Sequence, residues 1–323
     1  MLTHHTIDDF AAMTVNTGLL TLTLIPALGG KVSSLVDLRS GREWLWRHPR
    51  LPYAQVPADA DYGAQADTGG WDECFPSVAR CAYPAAPWQG VAIADHGELW
   101  SQEAAVTVTE TTDQIALHCV WHGVALPYRF ERTLRLQRGS ATLHAAYAVT
   151  NLGAAPLRFI WCAHPLLAIE PGMRLELPEQ AIMQRWAALP DTLVPADVPL
   201  RLPLTAIDLS NLPKANGTAL KLWSDPLPPD AGTAALHAAN GALQMRWDTA
   251  LLPQIAFWLN LGAAAGDGGA PLYNLGLEPC IGAQDSLEQA ITVHDLAAEL
   301  PPAATQHWWL ELELSVPGDG VTG

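Results

Sequence analysis

The sequence predicts an all-β fold, a large β-sandwich. Three observations carry that prediction. Apolar residues recur with period two along most of the chain. Turn residues fall about every 8–12 positions between the alternating runs. No long stretch carries helical periodicity. With 323 residues, 49% of them apolar, the chain can bury a sizeable core. Its composition does not shift along its length, so one domain spanning residues 1–323 is expected.

The elements read in order. "LLTLTLIP" alternates Leu20, Leu22 and Leu24 against threonines, and "LGG" turns the chain. "KVSSLVDLRSGREWLW" reads as a hairpin that turns at Ser40–Gly41, and "AAVTVTETTDQIALHCVW" as another. In "PYRFERTLRLQRGSATLHAAYAVTNLG", Phe130, Arg132, Leu134 and Leu136 share one face. Gly139 marks the turn, and Leu143, Ala145, Tyr147 and Val149 share a face of the return strand. "PEQAIMQRWAAL", 178–189, reads as a short helix. Proline-rich breaks at 84–87, 195–203 and 226–229 read as long loops, and "AAGDGGA", 264–270, as a surface loop between two strands. Near the end, "HWWLELELSV" sets Trp308, Leu310, Leu312 and Leu314 against Trp309, Glu311 and Glu313.

Charge and composition exclude several functions. The formal net charge is −16, and no Lys/Arg-rich run occurs. Neither a nucleic acid nor an anionic membrane is therefore an expected partner. Five cysteines, at 74, 81, 119, 162 and 280, are too sparse and odd in number for a disulfide framework. The N-terminus carries no basic segment followed by an apolar one, and no apolar run approaches the length of a membrane span. The expectation is a soluble, cytoplasmic protein. Phosphate-cradling glycine motifs and the G-x-S-x-G elbow are absent. Cys162-x-His164 and Cys74-x6-Cys81 do not have zinc-ligand spacing. Neither cofactor nor metal is expected.

A few polar residues break the apolar pattern. "LRFIWCAHPLL" is apolar on both faces, as a central strand should be, and His164 is expected to end it because Pro165 cannot donate to a ladder. "YNLGLEPCIG" has the same form, with Glu278 placed before Pro279. A carboxylate among Leu, Pro and Cys costs several kcal/mol in desolvation unless it is paired. Such placement raises its pKa toward that of a useful base. His96, in "ADHGELWSQEA", precedes Gly97 where the backbone can turn sharply. "GGWDECFPSV", 69–78, puts Asp72 and Glu73 side by side among Trp71, Cys74 and Phe75. In an extended segment the two carboxylates point to opposite faces, so one of them faces a cleft and the other does not. Thirteen tryptophans serve core packing or stack on a ligand such as a sugar.

In this order, "DHGELW", "VTNLGAAPLRFIWCAHPLL" and "LGLEP" resemble motifs of the aldose 1-epimerase (galactose mutarotase) family, from near residue 14 to near residue 316. The resemblance implies a large twisted β-sandwich and interconversion of the α and β anomers of a free aldose. It implies His164 as general acid, Glu278 as general base and His96 as a second histidine on the sugar. Arg80, in "FPSVARC", lies roughly where the family carries a substrate-contacting arginine, and Asp225, in "LWSDP", is a candidate for its mid-chain acidic residue. The chain departs from the family where "ECFPSVAR" replaces a Gly-Arg-x-x-Asn-Arg block. A divergent mutarotase acting on a monosaccharide is the leading expectation, as a monomer or homodimer. Trp71, Trp100 and Trp161, which neighbour the polar groups in sequence, are expected near the sugar. A sugar-binding protein without turnover is the rival. A glycoside hydrolase or lyase, pairing Asp72 or Glu73 with Glu278, comes third.

Overall fold

The computed structural model describes residues 1–282 and 284–319. The strands in chain order begin β1 (Leu2–Ile7), β2 (Phe10–Asn16), β3 (Leu20–Ile25), β4 (Lys31–Asp37), β5 (Arg42–Glu43), β6 (Gly70–Cys74), β7 (Cys81–Ala82) and β8 (Ala92–Ile93). They continue with β9 (Ala105–Glu110), β10 (Gln114–His122), β11 (Tyr128–Gln137), β12 (Thr142–Asn151), β13 (Leu157–Phe159), β14 (Trp161–Leu167), β15 (Arg174–Glu176) and β16 (Ile182–Leu189). The last are β17 (Leu200–Arg201), β18 (Thr218–Ser224), β19 (Thr233–Ala238), β20 (Gly241–Trp247), β21 (Gln254–Leu261), β22 (Tyr273–Ile281), β23 (Ala298–Leu300) and β24 (Thr305–Ser315).

A twelve-stranded sheet runs β1-β2-β3-β4-β6-β14-β22-β21-β18-β16-β17, with β5 on β4. An eight-stranded sheet runs β15-β19-β20-β24-β12-β11-β10-β9. The pairs within both are antiparallel, so short turns suffice to connect neighbours. Leu22, Trp71 and Leu277 from the large sheet join Leu134, Tyr147 and Leu310 from the small one in a single buried apolar cluster. The architecture is the expected β-sandwich. Period two survives intact on β11, β12 and β24, whose alternate residues are buried. Among the described residues no helix is long and apolar enough to cross a membrane.

Two expectations are corrected. Residues 182–189 form strand β16 rather than a helix. A β-bulge between Arg185 and Ala187 shifts the register against β18, so the segment loses the alternation that would have marked it as a strand. His164 does not end its strand either: β14 runs on through Pro165 to Leu167, and β22 through Pro279 to Ile281. The prolines interrupt the ladder without ending it. β14 and β22 pair at Trp161–Ile281, Cys162–Cys280, Leu166–Gly276 and Leu167–Leu275, with no pairing across the positions between. Carrying the register through that gap sets His164 opposite Glu278.

Candidate functional site

The site lies on the outer face of the large sheet, where β6, β14 and β22 are neighbours. Asp72 on β6 is the register partner of His164 on β14. Glu278 faces His164 from the other side, with Oε1 3.8 Å from Nε2. The three side chains therefore form a row across adjacent strands, all of them buried. Gly276 makes room for this row. A Cβ added there would lie 2.8 Å from Glu278 Oε1.

Each carboxylate holds a lysine. Lys31 Nζ donates to Asp72 Oδ2 at 2.5 Å and to the Gly69 carbonyl at 2.9 Å. Lys221 Nζ donates to Glu278 Oε2 and lies 3.6 Å from Asp285 Oδ1. A buried lysine without a partner would lose its charge. Burial works against the Lys221 ammonium, but Asp285 and Glu278 hold its pKa above the ordinary range. Burial pushes the Glu278 carboxyl up, and Lys221 pulls against that rise. Burial, with His96, Lys221 and Lys31 nearby, drives His164 well below the usual 6.5. The imidazole is therefore neutral.

Hydrogen bonds fix its tautomer. The Tyr62 hydroxyl contacts Asp72 Oδ2 at 2.9 Å, the Thr68 carbonyl at 3.1 Å and His164 Nδ1 at 3.3 Å. The first two can only accept, so the single hydroxyl proton goes to them. Toward His164 the hydroxyl accepts from Nδ1–H, which leaves Nε2 with a bare lone pair facing Glu278 Oε1. His96 stacks on Tyr62 at 3.9 Å between ring centroids. Its own Nδ1 is 3.0 Å from Asp95 Oδ1. His96 has a left-handed φ of 57°, and Gly97 follows at 76°. Gly97 is pressed against β6: a Cβ there would lie 2.0 Å from the Phe75 carbonyl oxygen.

Above the row opens a cavity of about 410 Å³, within the range of roughly 300–1,000 Å³ usual for small-molecule sites. Trp46, Trp186 and Trp258 wall it, and His48, Asn260 and Asn274 add polar groups. Trp186 is the residue displaced by the bulge in β16. Residues 264–266 of the glycine-rich loop form part of the rim. Arg50 ties that loop down through two bonds to Asp267, at 2.9 and 2.8 Å.

The residues singled out in the sequence separate into two groups. His164, Glu278, His96 and Asp72 come together, with His164 and His96 lining the cavity and the two carboxylates buried beside His164. Glu73 points the other way, into the core. There it accepts from Arg132 Nη1 at 2.9 Å, Trp161 Nε1 at 3.0 Å and Tyr147 hydroxyl at 3.1 Å. Burial pushes its carboxyl up to about 7, against the pull of Arg132. Trp71 and Trp161 are core residues on that same inner side. Trp100 packs edge-on beneath Tyr62 and donates to the Asp95 carbonyl, so it supports the floor from behind. Arg80 is turned away and pairs with Asp61, because its strand connection leaves the sheet after β6. Asp225 accepts from Gln184 outside the cavity. The position that β18 offers to the cavity is Lys221.

Lys31, Lys221, Tyr62, Trp186 and Trp258 were not singled out by sequence. The lysines carried a signal. The chain has three, and Lys221 sits in the apolar run "TALKLW", where a charge has no structural use without an anion. Tyr62 lies in a loop without pattern, and only the fold brings it to the strands.

No protein-family model matches the chain, and no curated protein matches it in sequence. Solved structures do resemble it. A candidate aldose 1-epimerase from Klebsiella pneumoniae superposes with a TM-score of 0.74 at 16% identity, over 97% of this chain and 82% of that one. The Slr1438 protein from Synechocystis gives 0.67 at 17% identity, over 98% and 96%. A galactose mutarotase-like protein from Clostridium acetobutylicum gives 0.67 at 13% identity, over 98% of both chains. Likeness at this level of identity shows the fold, which is the galactose-mutarotase-like sandwich.

Proposed function

We propose that the protein is a mutarotase, interconverting the α and β anomers of a monosaccharide by acid/base chemistry at His164 and Glu278. The observation that carries this reading is their apposition: two titratable groups facing each other across β14 and β22, 3.8 Å apart, with His164 lining the cavity. Mutarotation moves a proton off the anomeric hydroxyl and another onto the ring oxygen. Both oxygens are bonded to one carbon, so the groups that serve them must themselves be neighbours. The pair shares one proton between carboxylate and imidazole, and the roles exchange on reclosure of the ring. Lys221 lowers both titrations, so it shifts the pair together and does not by itself choose which partner starts as the acid. Asp72, paired with Lys31, holds the Tyr62 hydroxyl that lines the cavity. Trp186 and Trp258 offer apolar faces for the C–H side of the ring.

Polarimetry on freshly dissolved α-glucose or α-galactose tests this directly, after subtraction of the uncatalysed drift. The wild-type chain is expected to accelerate exchange. Glu278→Gln, which keeps the shape but removes the base, is expected to lower the rate by about 10²–10⁴-fold. Failure to accelerate any aldose tried, together with sugar-dependent tryptophan emission, would instead favour a binding protein on the same scaffold. Full activity in Glu278→Gln would move the base to another residue.

A further inference from the structure

The cavity floor gathers ligand atoms of a second kind. Cys74, His96 and His164 each bring one donor atom to within 4.8 Å of the others. They come from β6, from the loop before β9, and from β14, so no sequence spacing joins them. Cys74 is a free thiol, fully buried. Both histidines have their Nδ1 engaged elsewhere, His96 on Asp95 and His164 on the Tyr62 hydroxyl. That leaves the two Nε2 lone pairs free. A histidine held through one nitrogen by a carboxylate or hydroxyl, with the other turned inward, is the arrangement metal-ligating histidines adopt.

A second observation points to a cation. Glu278 is buried, and among the described residues its Oε1 has no hydrogen-bond partner although it faces His164 Nε2 at 3.8 Å. Two acceptors confront each other with no donor between them. A proton, a ligand hydroxyl or a metal ion would resolve that.

We propose that Cys74, His96 and His164 form a binding site for a divalent cation of the zinc class, with the fourth position open toward Glu278 Oε1. One thiolate and two imidazoles suit a borderline-soft ion that accepts tetrahedral coordination, and they disfavour magnesium or calcium. The Cys74 thiol releases its proton when the ion binds. The binding claim stands on this geometry alone. Its consequence for catalysis rests on the proposed acid/base reading: an ion on His164 Nε2 takes the lone pair that carries the proton, so bound metal and anomer exchange exclude one another.

Cobalt(II) titration of the full, metal-free chain tests the site. The expected result is one-to-one uptake with a thiolate charge-transfer band and the strong visible bands of a tetrahedral ion. The band should vanish in Cys74→Ser and persist in Cys81→Ser, a thiol outside the cluster. His96→Gln, at a half-buried position, should weaken binding at least tenfold and serves as the test if Cys74→Ser does not fold. A wild-type chain that takes up no stoichiometric cobalt overturns the proposal, and so does a band that survives Cys74→Ser or a cobalt affinity left unchanged by His96→Gln. Polarimetry with zinc then separates the two readings. If metal binds without slowing anomer exchange, the metal site stands and the role of His164 falls. If an active chain binds no metal, the converse holds.

Discussion

Lys221 and Glu278, on β18 and β22, join their side chains beneath the cavity, although β21 lies between their strands. The contact does more than neutralise a buried charge. The ammonium lowers both the Glu278 carboxyl and the His164 imidazole, the two groups proposed to share the catalytic proton.

That sets the pH dependence. The active pair carries one proton, so the rate is bell-shaped between its two titrations. Burial raises Glu278 above its ordinary 4.5, and burial, with His96, Lys221 and Lys31 nearby, lowers His164 below its ordinary 6.5. Burial thus disfavours the charged form of each group, the carboxylate and the imidazolium. Lys221→Met removes a charge that lowers both groups, so the whole bell should move to higher pH. Rate–pH profiles of the two proteins check this. A lower rate at an unchanged optimum would mean that Lys221 only supports the fold.

Gly276 tests the placement of the base. Its missing side chain is what leaves room for the Glu278 carboxylate, since a Cβ would sit 2.8 Å from Oε1. The Gly276→Ala chain should fold, because the crowding is against a side-chain end rather than backbone. Anomer exchange should fall at least tenfold as the carboxylate is displaced from His164. Unfolding midpoint and polarimetry together separate this from general damage.

The sandwich was legible because alternation on β11, β12 and β24 reports directly which face is buried. His164, Glu278 and His96 were legible because each breaks an apolar run next to a Pro or Gly. Arg80 was expected at the substrate from the family resemblance alone, but the chain leaves the sheet after β6 and pairs Arg80 with Asp61 instead. Trp186 was hidden by the bulge that aims it, since an extra residue destroys the alternation that would have revealed a strand. The Glu73–Arg132 pair was half visible. An arginine on the apolar face of β11 requires an anion, and only the fold identifies that anion as Glu73.

The alternation of Asp72 and Glu73 on β6 predicts different effects on KM for adjacent residues. Asp72→Asn should raise KM, because Asp72 holds the Tyr62 hydroxyl at the cavity wall, and should also lower the unfolding midpoint, because buried Lys31 loses its counter-ion. Glu73→Gln should leave KM alone and act on stability, because every partner of Glu73 belongs to the core. Sugar-concentration dependence of the polarimetric rate and urea unfolding of each variant distinguish the two. Equal effects of the two variants on KM would contradict the assignment of faces.

Arg132 and Glu73 carry the last prediction. Both are fully buried between the sheets, and Arg132 also donates to the Gly30 carbonyl. Removing one partner of such a pair leaves a buried charge uncompensated, at a cost of about 3–5 kcal/mol. Arg132→Met should show that loss when compared with wild type at pH 8, above the titration of Glu73 in the wild-type pair. Arg132→Met with Glu73→Leu should recover most of it, since apolar groups of similar volume need no pairing. The same pair imposes a pH dependence. The folded chain holds a proton on Glu73 up to about 7, and the unfolded chain only to the ordinary 4.5. Between those values the folded state binds the extra proton, so stability conferred by this group is full below 4.5 and declines as pH rises toward 7. Urea unfolding midpoints across that window should fall in the wild-type chain and flatten in the double variant. A wild-type midpoint that instead rises through the window would mean that Arg132, Tyr147 and Trp161 hold the carboxylate ionised despite its burial.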